Sequence, residues 1–237
     1  GVPGSTGGAQ LVDVATASEI GRFAKQRDVV PTAALSPDGE TVAVGGTRRR
    51  VEVFDVASGE SLYRVGHDEW VTALAFDDQG RFLASADRSG LIRVTEASTG
   101  RDEHELRRHE GIVHALAFRP GGKYLLSGGQ DRKVIGWRLS DGRRLWEQRR
   151  HSGAVHALRW LDAAGFASVG ADGNLVVWKS DGNRRTQRRV AKDWLYGLAF
   201  DRHGKLFACT DWQGALRILP EDAKSVAGEI WPLRVDT

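Results

Sequence analysis

The sequence predicts an all-β fold assembled from repeated four-stranded units, and three observations carry that expectation. An apolar six-residue segment recurs as VTALAF at Val71–Phe76, VHALAF at Val113–Phe118, VHALRW at Val155–Trp160 and LYGLAF at Leu195–Phe200, with a weaker copy, VPTAAL, at Val30–Leu35. The starts of these segments lie 41, 42, 42 and 40 residues apart, a spread narrow enough to mark a structural repeat. The apolar runs between them are short, partly β-branched or aromatic, and bounded by Gly, Asp and Pro, as strands are. Glycine supplies 29 of the 237 residues without a collagen-like period, in keeping with many tight turns.

Each repeat reads in the same order. The first apolar segment ends in a turn, Ser36–Gly39, Asp77–Gly80, Arg119–Gly122 or Asp201–Gly204, whose composition suits reversal of the chain. A second run follows, such as Phe82–Ser85 or Tyr124–Ser127, then a polar turn and a third run, Leu91–Val94 or Leu175–Trp178. A more polar fourth segment closes the unit, as in Glu103–Leu106 or Arg144–Glu147. A single four-stranded sheet of this length cannot cover both of its faces, so successive units must stack on one another. Stacking them around an axis also limits exposed edges, and the predicted architecture is a β-propeller. The expected blades run about 29–69, 70–111, 112–153, 154–193 and 194–234, in a single domain spanning 1–237. Ahead of them, residues 1–28 hold two strands' worth of sequence, Ala9–Gln26. There Val12-Asp13-Val14-Ala15 echoes Phe54-Asp55-Val56-Ala57, which makes this stretch the outer half of a preceding blade.

Repeats three and four resemble the WD-repeat (Trp-Asp repeat) β-propeller family. Repeat three reads HEGIV over His109–Val113 and SGGQD over Ser127–Asp131, and its third strand ends at Trp137. Repeat four reads HSGAV over His151–Val155 and SVGAD over Ser168–Asp172, ending at Trp178. The resemblance implies that His109, Ser127, Asp131 and Trp137, and likewise His151, Ser168, Asp172 and Trp178, form buried hydrogen-bonded networks tying the strands of one blade. The naming Trp-Asp dipeptide is absent, since Arg138 follows Trp137 and Lys179 follows Trp178. Repeat two has His67 and Ser85 but places Ser89 and Thr95 at the other two positions. Repeat one keeps Phe54-Asp55 at the Trp-Asp place, and repeat five has Ala191, Cys209, Gln213 and Leu219. The family usually closes seven blades. The expectation is therefore five complete blades plus an N-terminal half-blade within a seven-bladed ring, the remaining blades coming from upstream sequence or another chain. Closure by five or six blades is the alternative.

Composition narrows the function. With 34 Lys plus Arg against 31 Asp plus Glu, the net charge is +3, no general signature of polyanion binding. One cysteine, Cys209, excludes a disulfide framework and a Cys-based zinc site. No apolar run approaches roughly 18 residues, so no membrane-spanning segment is expected. With no signal peptide or lipidation motif in these residues, a cytoplasmic location is expected.

His, Ser and Asp together invite a catalytic-triad reading, which needs an exposed serine beside an oxyanion site. The same set recurs at the repeat spacing, which instead fits an architectural slot satisfying buried polar groups. No catalytic residue is assigned. His104, His109 and His114 are five residues apart, but strand alternation and the intervening turn separate them, so neither a metal nor a cofactor is expected. The Arg tracts, Arg48–Arg50, Arg107-Arg108, Arg143-Arg144, Arg149-Arg150, Arg184-Arg185 and Arg188-Arg189, fall in turns or fourth strands. Charged outer edges protect against edge-to-edge pairing; nucleic-acid binding along this rim is the alternative. The aromatics point elsewhere. Trp70 and Trp194 precede first strands, Tyr196 follows the start of one, and Trp212 sits in a turn between second and third strands. By resemblance these places face the wider top surface and the channel mouth. The surface carried over is Trp70, Thr72, Arg88, Ile112, His114, Gln130, Ala154, His156, Ala171, Trp194, Tyr196 and Trp212. The expected function is a non-catalytic interaction scaffold for a protein or peptide partner. The alternative to it, besides nucleic-acid binding, is a regulatory domain of a larger enzyme such as a kinase, nucleotide hydrolase or protease.

Overall fold

A gradient of burial runs outward through each repeat. The second strands are covered on both faces: Phe82–Asp87, Tyr124–Gly129 and Gly165–Gly170 are buried almost throughout. The fourth strands are the reverse, and five of six side chains in Arg184–Arg189 are exposed. Period-two alternation inside one isolated sheet cannot bury both faces of a strand, so neighbouring sheets must cover the inner strands.

The computed structural model describes residues 8–23, 29–221 and 228–230, and shows how they do so. Five four-stranded antiparallel sheets and one two-stranded sheet follow one another along the chain, each in simple up-and-down order. The two-stranded sheet pairs Ala9–Val12 with Glu19–Phe23. Blade one comprises Thr32–Leu35, Thr41–Gly45, Arg50–Asp55 and Ser61–Gly66. Blade two comprises Val71–Phe76, Phe82–Asp87, Leu91–Glu96 and Asp102–Arg107. Blade three comprises Val113–Phe118, Tyr124–Gly129, Val134–Arg138 and Arg143–Gln148. Blade four comprises Val155–Trp160, Gly165–Gly170, Asn174–Lys179 and Arg184–Arg189. Blade five comprises Leu195–Asp201, Leu206–Asp211, Leu216–Pro220 and Gly228–Ile230. Gln26 and the expected end of blade five lie outside the described residues. The echo of Val12–Ala15 with Phe54–Ala57 is a shared turn: Asp13 accepts from the backbone and hydroxyl of Thr16, as Asp55 does from Ser58.

The core is divided into clusters, each lying between consecutive blades. Ala84, Ile92 and Val94 of blade two meet Val113, Leu125, Ile135 and Trp137 of blade three. Leu126 and Val134 of blade three meet Val155, Trp160, Phe166 and Trp178 of blade four. Val169, Leu175 and Val177 then meet Leu195, Phe207 and Leu219 of blade five. First strands of successive blades also pack on one another, which places them innermost. Each blade thus completes its core against its neighbour, the nearest-neighbour arrangement that repeat arrays depend on.

A second inter-blade tie escaped the sequence reading. The fourth-strand positions Tyr63, His104 and Trp146 each reach into the next blade. Tyr63 donates its hydroxyl to the Ala97 carbonyl, and His104 Nε2 bonds the Leu139 carbonyl. Trp146 stacks on Phe166, with ring centroids 5.7 Å apart and planes 8° from parallel. Opposite these side chains stand Gly100, Gly142 and Gly182, all with positive φ, where an added Cβ would collide with the facing ring.

Candidate functional site

Blades three and four are cross-linked at one end by the same four side chains. Trp137 Nε1 donates to Ser127 Oγ at 2.9 Å, Ser127 Oγ lies 2.8 Å from His109 Nε2, and His109 Nδ1 lies 3.0 Å from both oxygens of Asp131. In blade four, Trp178 Nε1 meets Ser168 Oγ at 2.8 Å, Ser168 Oγ meets His151 Nε2 at 2.7 Å, and His151 Nδ1 meets Asp172 at 2.9 Å. With the imidazole proton on Nδ1, every donor in the chain finds an acceptor, Trp to Ser to His to Asp. The serine hydroxyls are fully buried and already hold two partners, so they are not presented as nucleophiles.

Blade two corrects the sequence assignment. His67 Nε2 lies 2.8 Å from Ser85, but its Nδ1 turns to Asp87, 3.2 Å away, rather than to Ser89. Ser89 donates to the same carboxylate at 2.7 Å. The acid has moved two residues earlier, to the end of the second strand, where it still reaches the imidazole. Blade five departs further. Ala191 and Cys209 replace His and Ser, and it is Asp211, not Gln213, that fills the acidic position. Arg217 pairs with it at 3.0 Å, and the backbone N–H groups of Gln213 and Ala215 bond it as well.

These carboxylates also fix the loops of the surface. Asp131 accepts from the N–H of Glu110 in the loop before blade three's first strand, and of Lys133 in the turn after its second. Asp172 does the same for Ser152 and Asn174, and Asp87 for Glu69 and Ser89. Burial alone would raise the Asp172 carboxyl, but hydrogen bonds from the His151 ring and the Ser152 N–H outweigh it and hold the pKa well below the usual carboxylate range. Asp87 and Asp131 are held down in the same way by His67 and His109.

A recurrent main-chain bond then pairs the surface side chains. The N–H of Arg88, Gln130, Ala171 and Trp212 donates to the carbonyl of Trp70, Ile112, Ala154 and Trp194, respectively, at 2.8–3.0 Å. Each blade therefore presents one residue of its entry loop beside one residue of its second turn. Blade two shows Trp70 with the Arg88 guanidinium 4.8 Å over its ring, and blade five shows two tryptophans.

Across blades three to five the pairs line a cavity of about 690 Å³, walled by Ile112, His114, Gln130, Ala154, His156, Ala171, Trp194 and Tyr196. Arg132 and Gly153 also line it, and neither was singled out from sequence. Their signal was positional, since each neighbours a residue that was. His114 stacks on His156 at 4.9 Å, with the planes 3° from parallel, and Tyr196 meets His156 edge-on at 4.5 Å. Burial foremost, with the neighbouring His114 and His151 rings adding to it, pushes the His156 imidazole down to about 4, so it is neutral near pH 7. Trp194, Tyr196 and Trp212 form a triangle with centroids 5.6–6.3 Å apart, and Trp194 and Trp212 are 48% and 69% exposed. The ring-to-ring packing leaves a continuous aromatic shelf at the cavity's edge. Trp70, Thr72, Arg88 and Trp212 are not among the cavity-lining residues; Trp212 packs on Trp194 and Tyr196 beside it, and Thr72 bonds the Val113 carbonyl at 2.6 Å, tying blade two to blade three. Among the described residues no three His, Cys, Asp or Glu side chains gather where they could hold a metal ion. Nor is any helix long and apolar enough to cross a membrane.

Up-and-down four-stranded sheets stacked through inter-blade cores, with His–Ser–Asp networks beneath one face, define a β-propeller of the WD-repeat type. The family model PQQ_2, described as outer membrane protein assembly factor BamB, matches residues 6–194, and the chain belongs to that related propeller family. A WD repeat-containing protein of Schistosoma mansoni, SL1-17, is 30% identical over 96 residues, which are 40% of this chain and 32% of that protein. The match thus spans about a third of that relative's length. A chain in the structure titled "Crystal Structure of Mitotic Checkpoint Complex" superposes with a TM-score of 0.87 at 23% identity, over 94% of this chain and 71% of the other. "Structure of U3-55K" superposes at 0.78 and 23% identity, over 85% of this chain and 64% of that one. At this identity the two structures show the fold alone.

Proposed function

We propose that the chain is a non-catalytic docking module whose top face, centred on the cavity between blades three and five, receives a segment of a partner protein. One observation carries this reading: three aromatic residues of one blade, Trp194, Tyr196 and Trp212, pack together, and Trp194 and Tyr196 line a cavity whose blade-three and blade-four loops are held by buried carboxylates. Aromatic side chains beside a pocket are the usual anchors of binding energy. A surface already ordered before contact avoids much of the entropic cost of association. The neutral His114–His156 stack supplies a flat, largely apolar floor. The buried serines, each engaged by Trp and His, argue against a nucleophilic enzyme at this face. A cytoplasmic location belongs to the same proposal and is checked by fractionating cells that express the protein.

The test uses peptides selected from a random display library against the wild-type protein. Selected peptides should lose roughly 30-fold in affinity, equivalent to about 2 kcal/mol, when Trp194→Ala is introduced. The variant should unfold at the same denaturant concentration as wild type. Peptides that bind Trp194→Ala and Trp212→Ala as tightly as wild type would place docking elsewhere.

A further inference from the structure

The outer strand of blade four differs in charge from every other described outer strand. Arg184–Arg189 reads RRTQRR, with four guanidiniums and no carboxylate. On blades one to three, carboxylates meet several of the rim cations. On blade one, Glu52 holds Arg50 and Arg64. On blade two, Arg93 contacts Asp102 and Glu105, and Arg107 contacts Asp68 and Glu105. On blade three, Glu147 holds Lys133 and Arg144, while Asp141 holds Arg138 and Arg143. On blade four, Arg184 donates to the neutral Gln187 amide, and Arg189 to the Ala191 and Lys192 carbonyls. Among the described residues, no carboxylate lies within ion-pair distance of Arg184, Arg185 or Arg189.

The backbone adds a second observation. This strand pairs with Asn174–Lys179 on one side, and no described strand pairs with its other edge. An unpaired edge offers N–H and C=O groups at every second residue to an incoming strand. A run of one charge sign repels a second copy of itself, because like charges directly opposite one another are unfavourable. An acidic strand would instead gain main-chain bonds together with cross-strand pairs of opposite charge. Between the arginines stand Thr186 and Gln187, and no aromatic ring lies on the strand for bases to stack on, which favours a peptide over single-stranded nucleic acid.

We propose that the outer edge of blade four accepts an extended acidic segment of a partner protein as a fifth strand, its carboxylates pairing with Arg184, Arg185 and Arg189. This surface is separate from the top-face cavity, and neither reading depends on the other.

The test measures fluorescence anisotropy of a labelled peptide alternating Glu with Thr, titrated with wild-type protein at low salt. Three companion probes are used: the same peptide N-methylated at alternate amides, its Gln-for-Glu counterpart, and a single-stranded RNA of similar length. The acidic peptide should bind, and should weaken by at least roughly 10-fold on N-methylation, on exchange of Glu for Gln, and in an Arg185→Glu/Arg189→Glu variant. Trp194→Ala should bind it unchanged. Since the peptide modifications are read on wild-type protein, the test holds even if the Arg variant misfolds. Equal binding of the N-methylated or Gln peptide, binding of RNA in place of the peptide, or no binding at all would overturn the proposal.

Discussion

Blades four and five meet the same packing demand with different chemistry. In blade four, the slot across from Ser168 holds Val176, and the imidazole of His151 links Ser168 to Asp172. In blade five, the slot across from Cys209 holds Arg217, whose guanidinium reaches Asp211. The buried carboxylate is common to both; its counter-group is not. The loops differ accordingly. Asp172 accepts the Ser152 N–H from blade four's entry loop, whereas Trp194 in the corresponding loop of blade five bonds the neighbouring Asp193. Beside Ala191 lies a cavity of about 510 Å³, lined by Arg189, Lys192, Asp193 and Arg217 among others. A propeller repeat therefore conserves a place for a compensated acid rather than a fixed set of four residues.

The largest effect should come from removing the counter-charge in blade five. Arg217→Ile leaves Asp211, whose side chain is 2% exposed, without its counter-charge, and should lower unfolding free energy by about 3–5 kcal/mol in urea titrations. Adding Ala191→His and Cys209→Ser to that variant rebuilds the blade-four arrangement and should recover at least half the loss. Without recovery, the two blades are not equivalent solutions.

Next in size is His151→Ala, which strips Ser168 and Asp172 of a shared partner and should cost about 2–3 kcal/mol. It also sharpens a pH effect. The Asp172 carboxyl titrates lower in the folded protein than unfolded, so its contribution is complete above about pH 4 and is lost as pH falls further. Stability measured at pH 6 and pH 3 should therefore differ less in His151→Ala than in wild type.

The smallest effect is a local one. Burial pushes the Cys209 thiol up to about 12, so it should resist alkylation in the native protein. Arg217→Ile should speed modification, while His151→Ala, a blade away, should change it much less; equal acceleration by both would mean the blades open together.

Much of this was legible in sequence, because the repeat spacing fixes blade order and His, Ser, Asp and Trp recur at set distances in repeats three and four. The exceptions share a cause. Asp87 was passed over because the acid was sought at the spacing of Asp131 and Asp172, and a carboxylate two residues earlier reaches the same imidazole by a different backbone path. Arg217 falls where strand alternation places a core residue, and only the space beside Ala191 explains a guanidinium there. Tyr63, His104 and Trp146 recur at the repeat interval, but matching by residue type hides a slot filled by three different side chains. Which rim arginines meet a carboxylate depends on cross-strand pairing, as when Glu52 meets Arg64 and Asp102 meets Arg93, and position along the sequence does not show it.

If the proposed docking surface is ready-made and spans blades three to five, hydrogen exchange of the protein with and without a display-selected peptide will show it. Protection should rise at 112–114, 154–156, 194–196 and 212 while exchange elsewhere stays unchanged. Protection confined to the outer strands, or spread evenly over every blade, would contradict it.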